Sequence, residues 1–227
     1  MGKINEILQS IVELGSRGYV ISKQLFDLND DKDLKEKIKT YKYVFVADNP
    51  GQKEKNNGDY LSSGNTKLNF DIFLSEHLKL ERKDCLILNK SLFQTKSTKD
   101  LALQRDNDES QTLIAELILA ILDINESCYI VLLGWTDYFK VDDGAIFHRF
   151  YTSIKKVESN YKKQNFFLAY PHPSRRQLLT KAELEKLKKS SIDEIEFFRY
   201  FGHKQFLFRK PNHLIDDFIT EYQNEVK

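Results

Sequence analysis

Four short apolar runs, Tyr43 to Ala47, Cys85 to Leu88, Cys128 to Leu133 and Phe166 to Tyr170, constrain the fold of this chain more than any other feature. Each is rich in β-branched, aliphatic or aromatic residues and too short for a buried helix, so each reads as a strand covered on both faces. Segments of helical spacing lie between them, with Leu68, Ile72, Phe73 and His77 after the first run and Leu113, Ile114, Leu117, Ile118 and Ile121 after the second. Such segments are long enough for the crossovers that parallel strands require. The expected fold is therefore α/β, a three-layer, four-stranded parallel sheet with helices on both faces.

The flanks read as helices. Ahead of the first strand, Ile4 to Leu14 carries apolar residues at Ile4, Ile7, Leu8, Ile11 and Leu14, and Asp31 to Ile38 reads as a second helix. Beyond the last strand, Thr180 with Glu183 three residues on is a capping-box signature for a charged helix through about Lys189. Pro211 then introduces a final helix with Leu214, Ile215, Phe218, Ile219 and Tyr222. No repeat and no linker rich in Pro, Gly or Ser interrupts the 227 residues, of which 41% are hydrophobic. One domain is expected, with N-terminal helices over 1–40, a core over 41–180 and C-terminal helices over 181–227.

Charge and cysteine usage exclude several classes. Against 35 Lys and Arg stand 34 Asp and Glu, so no global basic excess marks a nucleic-acid binder and any such contact must come from a local patch. Cys85 and Cys128 each sit inside an apolar run without a Cys or His at metal-ligand spacing, which excludes zinc, iron–sulfur and disulfide scaffolds. No run approaches the roughly 18 apolar residues of a membrane span. No Gly-x-Gly-x-x-Gly or Walker string follows a strand. A cytoplasmic monomer with no metal, no cofactor and no membrane contact is expected.

Only nine glycines and four prolines are present, and several gather with polar residues after the strands. The first run ends in Asp48-Asn49-Pro50-Gly51, the second in Asn89-Lys90-Ser91, the third in Gly134-Trp135-Thr136 and the fourth in Pro171-His172-Pro173-Ser174. Ligands of open parallel sheets bind in the crevice outside these carboxyl ends. Each string also has a plainer reading. Asp-Asn-Pro-Gly is a near-ideal turn, Asn89 can satisfy a loop backbone, and His172 between two prolines can be structural.

Asn-Pro-Gly, Leu-Asn and His-Pro-Ser, in this order after strands one, two and four, resemble the motifs of the uracil-DNA glycosylase superfamily, over roughly residues 40 to 180. The first motif is similar to that of the mismatch-specific and single-strand-selective monofunctional branches, and His172-Pro173-Ser174-Arg175-Arg176 is closer to the latter. Pro50-Gly51-Gln52-Lys53-Glu54 with Gly58 and Gly64 also resembles the iron–sulfur branch, whose four cysteines this chain lacks. The resemblance implies a uracil-DNA glycosylase-like fold and a monofunctional enzyme that flips a pyrimidine out of DNA, single-stranded or locally opened, and hydrolyses its N-glycosidic bond.

By the same resemblance, His172 hydrogen-bonds O2 of the departing base, where negative charge develops, and Asn49 holds the attacking water. Asp48, one residue earlier, is a competing candidate for handling that water, although neighbours leaving a strand point opposite ways. Asn89 reads the pyrimidine edge, in an orientation that its partners decide. Gly51 stands where strict uracil enzymes carry a tyrosine wall, so a 5-substituent could enter unless the turn itself demands glycine. Stacking of the base falls to Tyr60 or Phe70, the latter with a helical spacing that also fits the core. Ser174, Arg175 and Arg176 sit where the family loop enters DNA. Lys90, Lys96, Lys99, Lys181, Lys186, Lys188 and Lys189 are candidates for phosphates or a solvated face, and Lys90 beside Asn89 for a lyase nucleophile.

Three other readings stay open: the same chemistry on bulky modified phage bases in antiviral defence, a non-catalytic binder of damaged or single-stranded DNA, and an unrelated doubly wound protein with coincidental turns.

Overall fold

All four apolar runs become strands, and in a computed structural model of the chain they pair side by side in parallel. The structure describes residues 2–95, 101, 107–134, 146–158, 167–174, 179–208 and 215–226. Strand β1 (Tyr43–Ala47) is central, flanked by β2 (Cys85–Asn89) and β3 (Tyr129–Leu133), with β4 (Phe167–Tyr170) beyond β3, giving the order β2-β1-β3-β4. Tyr43 stands opposite both Cys85 and Tyr129, and Ala47 opposite Asn89. Every residue of β1, β2 and β4 is buried, which is why those stretches lack the alternation of a half-exposed strand. Cys128 precedes its strand because its N–H closes a turn onto the Asn125 carbonyl. Phe166 lies outside the described residues.

The first helix, α1 (Gly2–Ser16), buries Ile4, Ile7, Leu8, Ile11 and Leu14, the stripe expected from their spacing. A short helix that the sequence pattern did not flag, α2 (Lys23–Asp30), follows, capped by Ser22 Oγ, which accepts the Leu25 N–H. Its Gln24 covers the open edge of β2, accepting the Ile87 N–H and donating to the Cys85 carbonyl, each at 3.0 Å. That side chain satisfies groups which would otherwise template a further strand. Helix α3 (Leu34–Thr40) starts later than expected, since Asp31 is engaged in a turn in which its Oδ1 accepts the Asp33 N–H.

After β1 come α4 (Gln52–Asn57) and α5 (Gly64–Ile72), the latter continuing as a π-helical turn over Phe73–Leu78. Phe70 and Phe73 turn inward against Phe45 with ring centroids 5.0 and 6.5 Å apart, whereas Leu68 is 58% exposed and takes no part in that face. Helices α6 (Asn107–Ile124) and α7 (His148–Glu158) pack on each other, and α6 also packs on α1. Helix α8 (Lys181–Ser190) begins at the expected capping box, with Thr180 and Glu183 exchanging backbone-to-side-chain bonds of 3.3 and 2.6 Å.

Helix α9 (Glu194–Phe208) was not anticipated, because its inward side is built from Phe197, Phe198 and Phe201 rather than an aliphatic stripe. It lies against β4 so closely that a Cβ on Gly202 would come 2.5 Å from the Tyr170 ring. The last helix, α10 (Ile215–Val226), is present, while Pro211 and Leu214 lie outside the described residues. The molecule is α/β with an all-parallel sheet, an arrangement consistent with three layers. Among the described residues, no helix is long and apolar enough to cross a membrane.

Candidate functional site

The chain leaves β1 for β2 on one side and later reaches β3 on the other, so the carboxyl ends of β1 and β3 form the switch point where such sheets place ligands. Side-chain alternation divides the residues there between the two faces. Ala47 and Asn89 are register partners and share the face on which Phe45 meets Phe70 and Phe73. Asp48 and Lys90, one residue further on, are turned the opposite way.

Lys90 is fully buried. Its ammonium donates to Asp48 Oδ1 at 2.6 Å, to the Leu133 carbonyl at 2.8 Å and to the Gly134 carbonyl at 2.7 Å, and it lies 5.1 and 5.6 Å from the rings of Phe147 and Tyr151 on the α7 side. With its three N–H groups committed inside the protein, Lys90 is not exposed at the rim as a phosphate contact would be, which corrects the sequence expectation. Gly134 makes room for this knot. It adopts φ +73°, and a Cβ there would sit 2.9 and 3.0 Å from the two carboxylate oxygens of Asp48.

On the other face, an open cavity of about 300 Å³ is lined by Asn49, Gly51, Glu54, Leu61, Ser63, Thr66, Thr95, His172 and Ser174. The loops after β1 and β4 therefore meet, bringing Asn49, Gly51, His172 and Ser174 around one space. Asn49 is oriented by a hydrogen bond from its Nδ2 to Thr95 Oγ1 at 3.1 Å. The His172 loop is tied to α5, where Asn69 Nδ2 donates to the Pro173 carbonyl at 2.8 Å. Ser174 supplies two donors to His172 Nδ1, its hydroxyl at 2.8 Å and its backbone N–H at 3.3 Å. An Nδ1 that accepts an N–H carries no proton, so this pattern assigns the ring proton to Nε2 and makes Nε2 a donor.

Gly51 has φ −82° and ψ 171°, extended backbone open to any residue, and the nearest atom to a Cβ built on it is Glu54 Oε2 at 3.8 Å. Neither the turn nor the packing demands glycine. Glu54, only 8% exposed, accepts the Gly51 N–H at 2.8 Å and so caps α4 while facing the cavity. Its role escaped the sequence reading because the cap residue is glycine, which the usual Ser/Thr-x-x-Glu signature does not flag.

Asn89 is buried at the end of β2 on the cavity's side of the sheet, without lining the cavity itself, and its Nδ2 has no hydrogen-bond partner among the described residues. An orphaned amide donor at a strand end is costly unless something later pairs with it. Tyr60 does not face the cavity. Its ring is buried, its hydroxyl donates to the Val20 carbonyl at 2.6 Å, and burial holds its phenol well above the ordinary pKa. Phe70 is likewise a core residue, edge-on to Phe45, so neither aromatic is available for stacking. Leu61, a core residue 2% exposed, is the apolar residue among the described lining, and no sequence signal marked it. Arg175, Arg176, Lys96 and Lys99 lie outside the described residues, and Lys181, Lys186, Lys188 and Lys189 are exposed on α8. No protein-family model matches the chain, and comparison with curated proteins returns no significant match.

Proposed function

We propose that this protein is a DNA glycosylase that hydrolyses the N-glycosidic bond of an extruded pyrimidine. The observation carrying this reading is that Asn49 and His172, from the first and fourth strand loops, line one cavity. Cleavage of this bond builds positive charge on the sugar and negative charge on the base, so a donor to the base oxygen lowers the barrier without forming a covalent bond. In this reading His172 Nε2–H is that donor and Asn49 orients the water. An amide cannot take the water's proton, and Glu54 is the carboxylate among the described lining residues that can. In this reading the buried, unpartnered Nδ2 of Asn89 pairs with the pyrimidine edge once the base has entered past the open cavity. The committed ammonium of Lys90 favours a monofunctional reaction.

A second reading of the same chemistry, excision of bulky 5-substituted bases in antiviral defence, is favoured by Gly51. Its backbone is ordinary, so the missing side chain leaves space beside the hydroxyls of Ser63, Thr66, Thr95 and Ser174. Those hydroxyls suit a hydroxylated substituent.

The test is a panel of single- and double-stranded oligonucleotides bearing uracil, mismatched thymine, 5-hydroxymethyluracil and glucosylated hydroxymethylcytosine, incubated with protein and then cleaved with alkali at abasic sites. Strand breaks at one or more of these bases are expected, and His172→Ala should lower the rate by about a hundredfold or more with DNA affinity largely kept. Binding without breaks on every substrate would instead leave a non-catalytic DNA binder.

A further inference from the structure

Leu61 occupies a conformation that a residue with its side chain rarely adopts. Its φ is +51°, in the left-handed region, yet it is 2% exposed and forms part of the cavity wall. Tyr60, its neighbour, faces the opposite way, toward Val20 and a separate cavity of about 260 Å³. The backbone at this point therefore sets Leu61 on the side of the candidate site and Tyr60 on the side of the second cavity.

One side chain holds that backbone. Arg82, in the 3₁₀ turn Arg82–Asp84 ahead of β2, donates from Nη1 to the Tyr60 carbonyl at 2.9 Å and from Nη2 to the Leu61 carbonyl. Its Nε donates to Asp71 Oδ1 on α5 at 2.6 Å, and the guanidinium lies 5.3 Å from the Phe70 ring centroid. The rigid, planar guanidinium spreads these three bonds over three separate nitrogens, a spacing that the single nitrogen of a lysine at this position does not reproduce. Asp71 is itself steadied by Lys67, which donates to Oδ2 at 2.9 Å. The turn is tightened further by Ser62 Oγ, which donates to the Asp59 carbonyl at 2.6 Å.

We infer that Arg82 is a positioning residue for the site, its guanidinium clamping the Tyr60 and Leu61 carbonyls so that Leu61 is held at positive φ as the apolar wall against the bound base. What the wall touches rests on the glycosylase reading above. Without the clamp, residue 61 relaxes to negative φ and the cavity loses the wall that it lines beside Asn49 and His172.

Single-stranded oligonucleotides carrying one 2′-fluoroarabino nucleotide, which resists cleavage, in uridine, thymidine and 5-hydroxymethyluridine forms, test this by fluorescence anisotropy against an unmodified strand. The wild-type protein should prefer at least one probe, and Arg82→Lys should reduce that preference about tenfold or more while leaving affinity for the unmodified strand unchanged. Leu61→Gly, which adopts the left-handed conformation without strain but lacks the wall, should lose the preference to a similar extent. Should Arg82→Lys fail to fold, Asp71→Asn, which keeps the guanidinium and weakens its anchor, should show a smaller loss in the same direction. A lowered melting temperature with the probe preference intact in these variants would overturn the positioning role and leave the glycosylase reading standing. Absence of any preference in the wild-type protein would overturn the positioning role, and the glycosylase reading would then fall only if the alkali-cleavage panel also shows no breaks.

Discussion

At the scale of single residues, the direction in which a side chain leaves the backbone matters more here than its chemical type. Lys90 next to Asn89 reads in sequence as a cation beside a base-reading amide, but strand alternation turns it to the opposite face and buries it against Asp48. Removing one member of a buried pair strands the other charge, so Lys90→Met should destabilise the protein by about 3 kcal/mol, the lower end of the usual range because Asp48 keeps 24% of its side-chain exposure. The double variant Lys90→Met with Asp48→Ala should recover part of that loss in a denaturant-unfolding cycle. Full additivity of the two changes would show that the pair is not coupled. At Gly51 the expectation is reversed. Its extended backbone accepts any residue, so Gly51→Tyr should shift the midpoint of unfolding little, while a preference for 5-substituted over unsubstituted pyrimidines falls. Equal rates on both classes before and after the change would remove Gly51 from the specificity of the site.

At the scale of elements, capping and close packing account for where the chain stops and what lies against what. Thr180→Ala removes the acceptor for the Glu183 N–H and should cost about 1 kcal/mol in urea unfolding, with the sheet unaffected. A larger effect is expected where α9 meets β4. Gly202→Val would place its Cβ within the Tyr170 ring's own space, and overpacking of this kind costs about 1–3 kcal/mol. The capped start of α8 was legible because a capping box is a local exchange of two hydrogen bonds. Helix α9 was not, since its burial depends on Phe197, Phe198 and Phe201 meeting β4 and its neighbours rather than on a periodic aliphatic stripe.

For the whole molecule, one contiguous cluster of buried apolar residues reaches from Ile4 to Phe201 and encloses both cysteines. Burial pushes the thiols of Cys85 and Cys128 up to about 12, and the phenol of Tyr41 up to about 12 as well. In the unfolded chain these groups ionise near their ordinary values of about 8.5 and 10. Folding therefore holds them protonated, and the stability this represents is complete below about pH 8.5 and lost as pH climbs toward 12. Alkaline titration of the folded protein should show a falling melting temperature across that interval, and both thiols should resist alkylation at pH 8 until denaturant is added. Rapid labelling of either cysteine in the native protein would contradict its burial.

The strands, their parallel arrangement and the gathering of polar turns at their carboxyl ends were determined by sequence alone, because burial on both faces imposes a continuous apolar run and a crossover imposes a helical spacing. The meeting of the Asn49 and His172 loops followed from that topology. Tertiary structure alone decided that Leu61 rather than Tyr60 lines the cavity, that Glu54 joins it, and that Lys90 leaves the rim. In a strand, alternation encodes direction locally. In a loop, direction is settled by hydrogen bonds from distant residues, here Arg82 to the Tyr60 and Leu61 carbonyls, Asn69 to Pro173 and Asn49 to Thr95, and such partners carry no local pattern in the chain.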